Sequence, residues 1–453
     1  MLARFAGLVA RSGRSRRRGT GSQGLDKAAP AVEKTDAMTR NSSNDSPIHV
    51  QVLIVGGGPA GLALAAALGT AGVPAAILDR ESARTRTDAG FDGRTTALTY
   101  GSIRVLQGVG AWETMEPHAC PILATHVVDG RSPLFLHVEG DDIGDHPYGY
   151  NIENGWIRRA LIERVRACPD ILDLSPASIA GLERTPGGIV VTLEDGRRIR
   201  TDLLVGADGR RSAVRTWAGI PVNHWTYDQI AIICTVTHDR PNGNVAVENL
   251  SPAGPFALVP MNDDEEGRHR TAIVWCERKH DAPAYLALDD DAFEAELQRR
   301  CGDRLGTVRL IGQRSSWPLS GLHARTYVAD RIALMGEAAH AVHPIAAQGL
   351  NLSMRDAAAL AEVVVDAHRL GLDVGAPDLL RRYQRWRRFD NLGVIAYTDT
   401  FFRAFSNANP VLKLGRNLVL AAVHRVTPLK RAIIREAMGV SGRPPRLVRG
   451  EVL

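Results

Sequence analysis

Cysteine is scarce in this chain of 453 residues and follows no recognisable pattern. The five cysteines are Cys120, Cys168, Cys234, Cys276 and Cys301. None belongs to a Cys-x-x-Cys pair, which argues against a disulfide scaffold and against a thiol redox motif. We therefore expect reduced thiols in a cytosol-like compartment.

The chain also lacks an unbroken apolar segment. The uncharged run 47–78 is longer than the ~20 residues of a membrane helix, but Gly56, Pro59 and Gly72 are among the residues that interrupt it. This run therefore predicts a strand, a turn and a helix of a soluble fold. Beyond the N-terminal tail there is no repeat or low-complexity segment.

Acidic residues are missing from the first 24 positions, which contain six arginines. Without this segment the net charge falls from +5 to −1, so the pI of 9.1 does not indicate nucleic-acid binding. An arginine-rich, acid-free start is typical of a mitochondrial presequence, and an unfolded extension is the alternative. In either case residues 1–46 should not be packed.

The first motif that is present is a glycine turn between a predicted strand, 50–55, and a predicted helix, 59–70. Gly56 permits the tight turn, Gly58 lets the backbone approach a pyrophosphate, and Gly61 lets the helix pack closely on the strand.

The next predicted strand, 75–78, ends at Asp79, and Arg80 follows. A carboxylate at this place can bind ribose hydroxyls. Together with the glycine turn it predicts a dinucleotide site, without separating FAD from NAD.

A second motif is 336–352, Gly-Glu-Ala-Ala-His-Ala-Val-His-Pro-Ile-Ala-Ala-Gln-Gly-Leu-Asn-Leu. It ends in the first turn of a predicted helix, whose N–H groups lack partners and carry the positive end of the helix dipole. Gly349, Leu350 and Asn351 would present these donors to an electron-rich ring edge. A reduced flavin needs such donors, so the motif favours a flavin enzyme over a nicotinamide dehydrogenase.

A third motif, 202–215, is Asp-Leu-Leu-Val-Gly-Ala-Asp-Gly-Arg-Arg-Ser-Ala-Val-Arg. The apolar run predicts a buried strand, and the glycines of the following turn let Asp208 point back toward a bound ligand. Taken alone, an aspartate that caps the next helix is the better interpretation. The longer string, however, resembles a signature of the aromatic-hydroxylase flavoproteins.

With these motifs in this order, the chain resembles a class A flavin monooxygenase, and most of all the ubiquinone-biosynthesis hydroxylases. Three segments carry the narrower resemblance. Residues 91–98 are similar to the family's Asp-x-Arg-x-x-Ala-Leu segment, 343–356 to its His-Pro-x-Ala-Gly-Gln-Gly-x-Asn-Leu-Gly-x-Arg-Asp signature, and 428–439 to its C-terminal ending.

The sequence departs from the family at four positions. Glu337 stands where Asp is usual and Asp79 where Glu is commoner, and both keep the carboxylate. Ala347 and Ser353 replace glycines and remain small.

The resemblance implies FAD as cofactor and NAD(P)H as reductant. O2 would add at flavin C4a, and the hydroperoxide would hydroxylate the ring of a polyprenylated phenol. The loop from Pro344 through Gln348 would run along the flavin face. Asp208 and Glu337 would lie near the cofactor, and Arg94 and Arg158 are further candidates for cofactor contact.

His340 and His343 lie three residues apart, but no further soft ligand is near, and no metal site is expected. A role for His343 as acid or base in phenol hydroxylation remains open. The sequence does not otherwise identify the catalytic group.

The expected fold is α/β. An FAD-binding, Rossmann-like domain (47–125, 150–224 and 325–375) accompanies a substrate domain with a mostly antiparallel sheet (126–149 and 225–324), and C-terminal helices occupy 376–453. Several short β-branched runs between 225 and 320 predict the second sheet.

The substrate would come from a membrane, and the C-terminal segment 410–449 has nine basic residues against one acid. This composition fits a basic amphipathic helix on an anionic bilayer, or a helix packed on the flavin domain. We expect a cytoplasmic location at the inner membrane, or alternatively the mitochondrial matrix side, and association with a quinone-biosynthesis complex. The competing interpretations are a related flavoprotein reductase and a non-catalytic subunit of such a complex.

Overall fold

The computed structural model describes residues 47–88, 90–91, 93–129, 135–139, 144, 146–406 and 422–453. The predicted N-terminal extension, residues 1–46, lies outside the described residues. The strands are β1 Ile48–Val55, β2 Ala75–Leu78, β3 Thr95–Thr99, β4 Cys120–Ile122, β5 Ala124–Asp129, β6 Phe135–Glu139, β7 Gly149–Glu153, β8 Ile171–Asp173, β9 Ile179–Thr185, β10 Gly188–Leu193, β11 Arg198–Gly206, β12 Val222–His238, β13 Val245–Leu250, β14 Phe256–Met261, β15 His269–Arg278, β16 Val308–Ala324, β17 Val328–Ala329, β18 Ile332–Leu334 and β19 His340–Ala341.

The helices alternate with the strands along the described chain, and the two longest follow the last strand. They are α1 Pro59–Thr70, α2 Ala83–Asp88, α3 Tyr100–Gly108, α4 Trp112–Met115, α5 Asn154–Arg166, α6 Ala213–Trp217, α7 Ala282–Leu286, α8 Asp290–Cys301, α9 Gln348–Arg369, α10 Pro377–Phe405, α11 Thr427–Ala437 and α12 Arg446–Arg449. Among the described helices, none is both long enough and apolar enough to cross a bilayer.

The first sheet is mostly parallel and has the order β17-β18-β11-β1-β2-β8, with the hairpin β9-β10 attached to β11. In its centre, Ile54 lies opposite Val205 on one side and Ile77 on the other. Strand β1 is nearly all apolar, as expected for a strand covered on both faces. Helix α1 is buried along most of its length and packs on α5 and α9.

The second sheet has the order β19-β16-β12-β15-β14-β13-β5-β6. All neighbours are antiparallel except β13 and β5, which run parallel. Helix α8 covers part of this sheet, with Phe293 and Leu297 packed in one cluster with Trp275. A smaller sheet, β3-β7-β4, completes the fold.

The structure confirms the α/β fold with a mostly antiparallel second sheet and C-terminal helices. Helix α1 and strand β2 begin and end at the predicted residues. Strands β12 and β16 are much longer than the predicted runs, with 17 residues each, because they pair with each other over most of their length. The small third sheet was not predicted, and the proposed domain boundaries remain a prediction.

Candidate cofactor and substrate site

The glycine turn has the close backbone contacts that its sequence predicts. Gly56 has φ +115°, and a Cβ there would lie 2.3 Å from the carbonyl oxygen of Ala207. A Cβ on Gly61 would lie 2.0 Å from the carbonyl oxygen of Gly56, so helix and strand approach too closely for a side chain. A Cβ on Gly58 would meet no described atom within 4 Å. The turn is therefore closed on the protein side and open at Gly58, where a ligand can approach.

Asp79 lies at this turn, as predicted. Its Oδ2 accepts a hydrogen bond from the Gly57 N–H at 2.7 Å, and its Oδ1 accepts one from the Glu81 N–H at 2.9 Å. Backbone donors thus fix the carboxylate beside the turn. Arg80 is exposed.

Arg86 on α2 belongs to the same turn, although no sequence motif indicated it. Its Nη1 donates to the Gly57 carbonyl oxygen at 2.5 Å. The side chain is buried, yet its Nη2 has no hydrogen-bond partner among the described residues, and the nearest carboxylate oxygen, Asp173 Oδ2, is 3.9 Å away. A buried cationic donor without a hydrogen bond is costly, so this nitrogen fits an anionic group at the turn. No local sequence signal distinguishes Arg86 from the neighbouring arginines.

The two arginines that the family resemblance suggested have different surroundings. Arg158 lies near Arg86, to whose carbonyl oxygen its Nε donates at 3.2 Å. Arg94 places its guanidinium 5.6 Å from the ring centre of Trp317. Cofactor contact by either residue remains a prediction.

Asp208 caps the start of α6, as its sequence context suggests, but it uses only one of its two carboxylate oxygens. Its Oδ2 accepts from the N–H groups of Ala213 at 2.7 Å and Val214 at 3.2 Å, at the start of α6. Its Oδ1 is buried and has no hydrogen-bond partner among the described residues. The helix cap therefore leaves one acceptor atom unused.

Glu337 lies in a short turn that the interior of α9 holds in place. Its Oε1 accepts from Arg210 Nε at 2.9 Å, and both side chains are about half exposed. The preceding Gly336 N–H donates to Asp356 Oδ2 at 3.0 Å. Asp356 thus anchors the turn that carries Glu337.

Asp356 is also the centre of a buried charge cluster. It accepts hydrogen bonds from His340 Nε2 at 2.6 Å, Arg387 Nε at 2.8 Å and Asn391 Nδ2 at 3.1 Å. Burial alone would raise the pKa of Asp356, but His340 and Arg387 hold it well below its usual range. The Nε2 atom of His340 is therefore occupied by its hydrogen bond to Asp356. Among the described residues, no group of three His, Cys, Asp or Glu side chains could hold a metal ion.

The loop before α9 has an unusual backbone. Ala346 and Ala347 both have positive φ, +60° and +51°, a region that residues other than glycine rarely adopt. These two residues turn the chain into α9, whose first N–H groups have no partner within the helix. A Cβ on Gly349 would meet no described atom within 4 Å, so the helix start is open there.

Asn351 braces this helix start with its side chain. Its Oδ1 accepts from Thr99 N–H at 2.9 Å and Ser102 Oγ at 2.7 Å, and its Nδ2 donates to Ala97 O and Ala347 O. The predicted contribution of Asn351 to the cofactor is therefore through its backbone, and its side chain holds the loop on β3 and α3.

The side chains of His343 and Gln348 form hydrogen bonds within the protein. His343 is fully buried; its Nε2 donates to Gln229 Oε1 at 3.0 Å, and its Nδ1 accepts from the Ile345 N–H. Burial lowers the pKa of His343 to about 4. Gln348 donates to Ala437 O and accepts from Arg355. The geometry gives no support to an acid–base role for His343, because both ring nitrogens are engaged.

A cavity of about 460 Å³ lies against this loop. Its walls are the second sheet, the third sheet, the loop from Pro344 to Leu350, and side chains of α10 and α11. Most of the lining is apolar, with Tyr148, Tyr397 and Glu248 among the polar exceptions. This size and lining are typical of a small-molecule site.

A second cleft, of about 790 Å³, lies between α3 and the C-terminal helices and is lined by Arg104, Arg431, Arg435 and Arg449. None of the predicted cofactor residues lines it. The first cavity, by contrast, is lined by Glu337, Gly349 and Leu350 of the second motif.

Comparison with known proteins agrees with these observations. The family model described as an FAD binding domain matches residues 49–389. The chain is 46% identical to ubiquinone hydroxylase UbiL of Rhodospirillum rubrum, over 88% of this chain and 92% of the relative. It is 32% identical to 3-demethoxyubiquinol 3-hydroxylase of Escherichia coli, over 86% of this chain and 98% of the relative. The crystal structure of p-nitrophenol 4-monooxygenase PnpA from Pseudomonas putida superposes with a TM-score of 0.71 at 20% identity, over 87% and 99% of the two chains.

Proposed function

Because this chain belongs to the family of FAD-dependent monooxygenases, we propose that it hydroxylates the aromatic ring of a prenylated phenol in ubiquinone biosynthesis. The observation that carries this proposal is the apolar cavity that ends at the loop from Pro344 to Leu350. A prenylated ring is mostly apolar, and such a cavity removes it from water. The similarity to two ubiquinone-pathway hydroxylases supports the same substrate class.

Several described residues fit FAD. The open side of the turn at Gly58 and the Nη2 of Arg86, which lacks a hydrogen bond, suit a pyrophosphate, and the carboxylate of Asp79 lies at the same turn. At the other end, the start of α9 offers N–H groups to the electron-rich edge of the flavin ring. When bound and reduced by NAD(P)H, FAD supplies the oxygen-transfer chemistry.

The protein's own contribution is to orient the ring of the substrate and to exclude water. Asn351 fixes the start of α9, and Asp356 fixes the turn of Glu337, so both walls near the cofactor are braced from the interior. The apolar side chains of the second sheet form the opposite wall. Held in this way, a reacting ring loses its freedom of orientation before the reaction begins.

A gene deletion would test the function in the cell. Mass spectrometry of the quinone precursors should show an intermediate that lacks one ring oxygen, and its structure would identify the step. Re-expression of the full chain should restore the normal quinone. An unchanged quinone profile in the deletion strain would contradict the proposal.

The purified, FAD-loaded protein would separate the enzyme from the two alternatives. A monooxygenase converts a short-chain 2-prenylphenol to a product that carries one oxygen from 18O2. A reductase would consume NAD(P)H without labelled product, and a non-catalytic subunit would do neither.

Membrane contact is a further part of the proposal, with a cytoplasmic location at the inner membrane and the mitochondrial matrix side as the alternative. Arg431 and Arg435 on α11 are exposed, whereas Ile433, Ile434 and Ala437 line the cavity. The basic face of α11 supports contact with anionic lipid. Its apolar face forms part of the cavity wall, so the cavity lies directly beside this helix. Part of the basic segment, 407–421, lies outside the described residues.

Liposome flotation would test the membrane contact. Arg431→Glu together with Arg435→Glu should reduce flotation with anionic vesicles and leave the apolar face of α11 intact. Equal flotation of this variant and the unchanged chain would contradict membrane contact through this helix. Co-purification with other quinone-biosynthesis enzymes would test the proposed complex.

A further inference from the structure

One carboxylate stands in an otherwise apolar row across the second sheet. The strand register places Glu248 of β13 beside Val127 of β5 and Ala257 of β14, and Ala257 beside Val274 of β15. Val274 in turn lies opposite Ile233 of β12. All five side chains line the cavity. Glu248 is thus the polar member of a row that spans five strands.

The surroundings of Glu248 connect it to the loop beside the predicted flavin face. The Ala346 N–H faces the carboxylate and lowers the pKa of Glu248, and Ala346 belongs to the loop with the two positive φ values. No described arginine, lysine or histidine shifts the pKa of Glu248. The carboxylate therefore lies inside the cavity without a cationic partner, where burial disfavours its ionised form.

Three titratable side chains interact with Glu248 from other parts of the described chain. They are Tyr148, which precedes β7, Cys276 of β15 and Tyr397 of α10. Burial raises the pKa of Glu248 to about 7, and the nearby Ala346 N–H only partly opposes this rise. Burial also raises the pKa of Tyr397 to about 12, with Glu248 as a further cause. Near neutral pH, Glu248 is therefore the group of this set that exchanges a proton.

We propose that Glu248 accepts the hydrogen bond of the substrate's phenolic hydroxyl and takes its proton during ring hydroxylation. The O–H bond of the phenol breaks, a bond forms between that proton and a carboxylate oxygen, and the electron pair stays on the phenolic oxygen. This makes the ring electron-rich for attack. The ring carbon then gains the oxygen atom that the FAD chemistry supplies and loses its own hydrogen as a proton to water. The electron pair of that C–H bond restores the aromatic ring and leaves the phenolic oxygen negative, and Glu248 returns its proton to this oxygen. The inference rests on the proposed function.

The alternative is that Glu248 only holds the loop through Ala346. A neutral amide or hydroxyl would serve that purpose without the cost of a buried charge. The position of the carboxylate in the cavity wall favours a group that meets the substrate. The two interpretations differ in what Glu248→Gln does, since glutamine keeps the shape and can accept a hydrogen bond but cannot take a proton.

A pair of ligands tests the contact without catalysis. The FAD-loaded protein is titrated with 2-allylphenol and with its methyl ether, 2-allylanisole, and binding is followed by the change in flavin absorbance. The unchanged chain should bind the phenol at least about tenfold more tightly, since a hydrogen bond to a charged group contributes that much. Glu248→Leu should bind both equally. Persistent preference for the phenol in this variant would overturn the proposal.

Kinetics test the proton transfer. With 2-allylphenol as substrate, Glu248→Gln should hydroxylate the ring about 10²- to 10⁴-fold more slowly at saturation, with little change in KM. In the pH–rate profile of the unchanged chain, the rate should fall on the acidic side of about pH 7, and this acidic limb should be absent from the profile of Glu248→Gln. Glu248→Asp should restore part of the rate and part of the acidic limb. Glu183→Gln, at an exposed position of β9, is the matched control and should behave like the unchanged chain.

The outcomes separate the two proposals. A Glu248→Gln rate within about threefold of the unchanged chain, with the acidic limb intact, would refute the role of Glu248. If the unchanged chain hydroxylates no phenol, the proposed function fails, and the ligand pair still decides whether Glu248 binds the hydroxyl. The flavin content of each variant shows whether it has folded.

Discussion

The buried carboxylate of Asp356 offers the sharpest test of how the site is held together. The substitution Asp356→Asn keeps the size of the side chain and removes its charge. Asp356 accepts hydrogen bonds from Gly336, His340, Arg387 and Asn391, and it is fully buried. An amide nitrogen in its place would face donors, and the guanidinium of Arg387 would lose its buried counter-charge.

The expected cost follows from the partners that remain. Breaking a buried ion pair by removing one partner typically costs about 3–5 kcal/mol. Arg387 keeps two further hydrogen bonds, to Asp390 at 2.7 Å and to Asn391 at 2.8 Å. We therefore expect the lower end, about 3 kcal/mol, in the free energy of unfolding at pH 7. Because the pKa of Asp356 is held low in the fold, this stabilisation is fully present above the ordinary carboxylate pKa and is lost as the pH falls through the lowered value.

Urea denaturation of the flavin-free protein at pH 7 measures this cost, because bound cofactor would add its own stabilisation. Asp373→Asn is the control: Asp373 pairs with Arg331 at 2.6 Å, but its side chain is 44% exposed. That substitution should cost only about 0–1 kcal/mol. If Asp356→Asn costs no more than the control, the cluster does not brace the site and the reasoning fails.

Three further predictions concern the cofactor turn and the cavity. Gly56→Ala should abolish flavin binding, because its Cβ would overlap the Ala207 carbonyl, whereas Gly72→Ala, also at positive φ but in open space, should cost only about 1–2 kcal/mol and keep the flavin. Arg86→Met should weaken FAD binding about 10- to 100-fold in a fluorescence titration, because an ionic hydrogen bond is lost; unchanged affinity would exclude contact with the cofactor. Glu248→Gln should raise the free energy of unfolding by about 1–3 kcal/mol at pH 8.5 and leave it unchanged at pH 4. The reason is that a carboxyl group with a raised pKa loses its stabilising effect as the pH rises through about 7. If the variant and the unchanged chain are equally stable at pH 8.5 as well as at pH 4, this carboxyl is not buried.

The sequence predicted best where local pattern decides the structure. Helix α1 and strand β2 were predicted to the residue because glycine, proline and a continuous apolar run mark their ends. The small sheet of β3, β7 and β4 was missed because its strands are three to five residues long and mix polar with apolar side chains. Such strands exist only through their partners.

The site shows the same limit. The glycine turn and the start of α9 were predictable, since their motifs are contiguous. Gln229, which engages His343, lies 114 positions away from it, so no spacing rule could reveal that both imidazole nitrogens are occupied. Arg86 and Glu248 carry no local signal, and only the three-dimensional arrangement separates them from ordinary surface charges.

The order of strands in the first sheet has a consequence for biosynthesis. Strand β11 lies between β1 and β18, and its partner β18 comes from residues 332–334, late in the chain. During translation the glycine turn leaves the ribosome early, but the loop and helix that complete the ring pocket follow more than 250 residues later. A nascent polypeptide interrupted before α9 therefore lacks the helix start that completes the flavin site, and the complete site can form only near the end of translation.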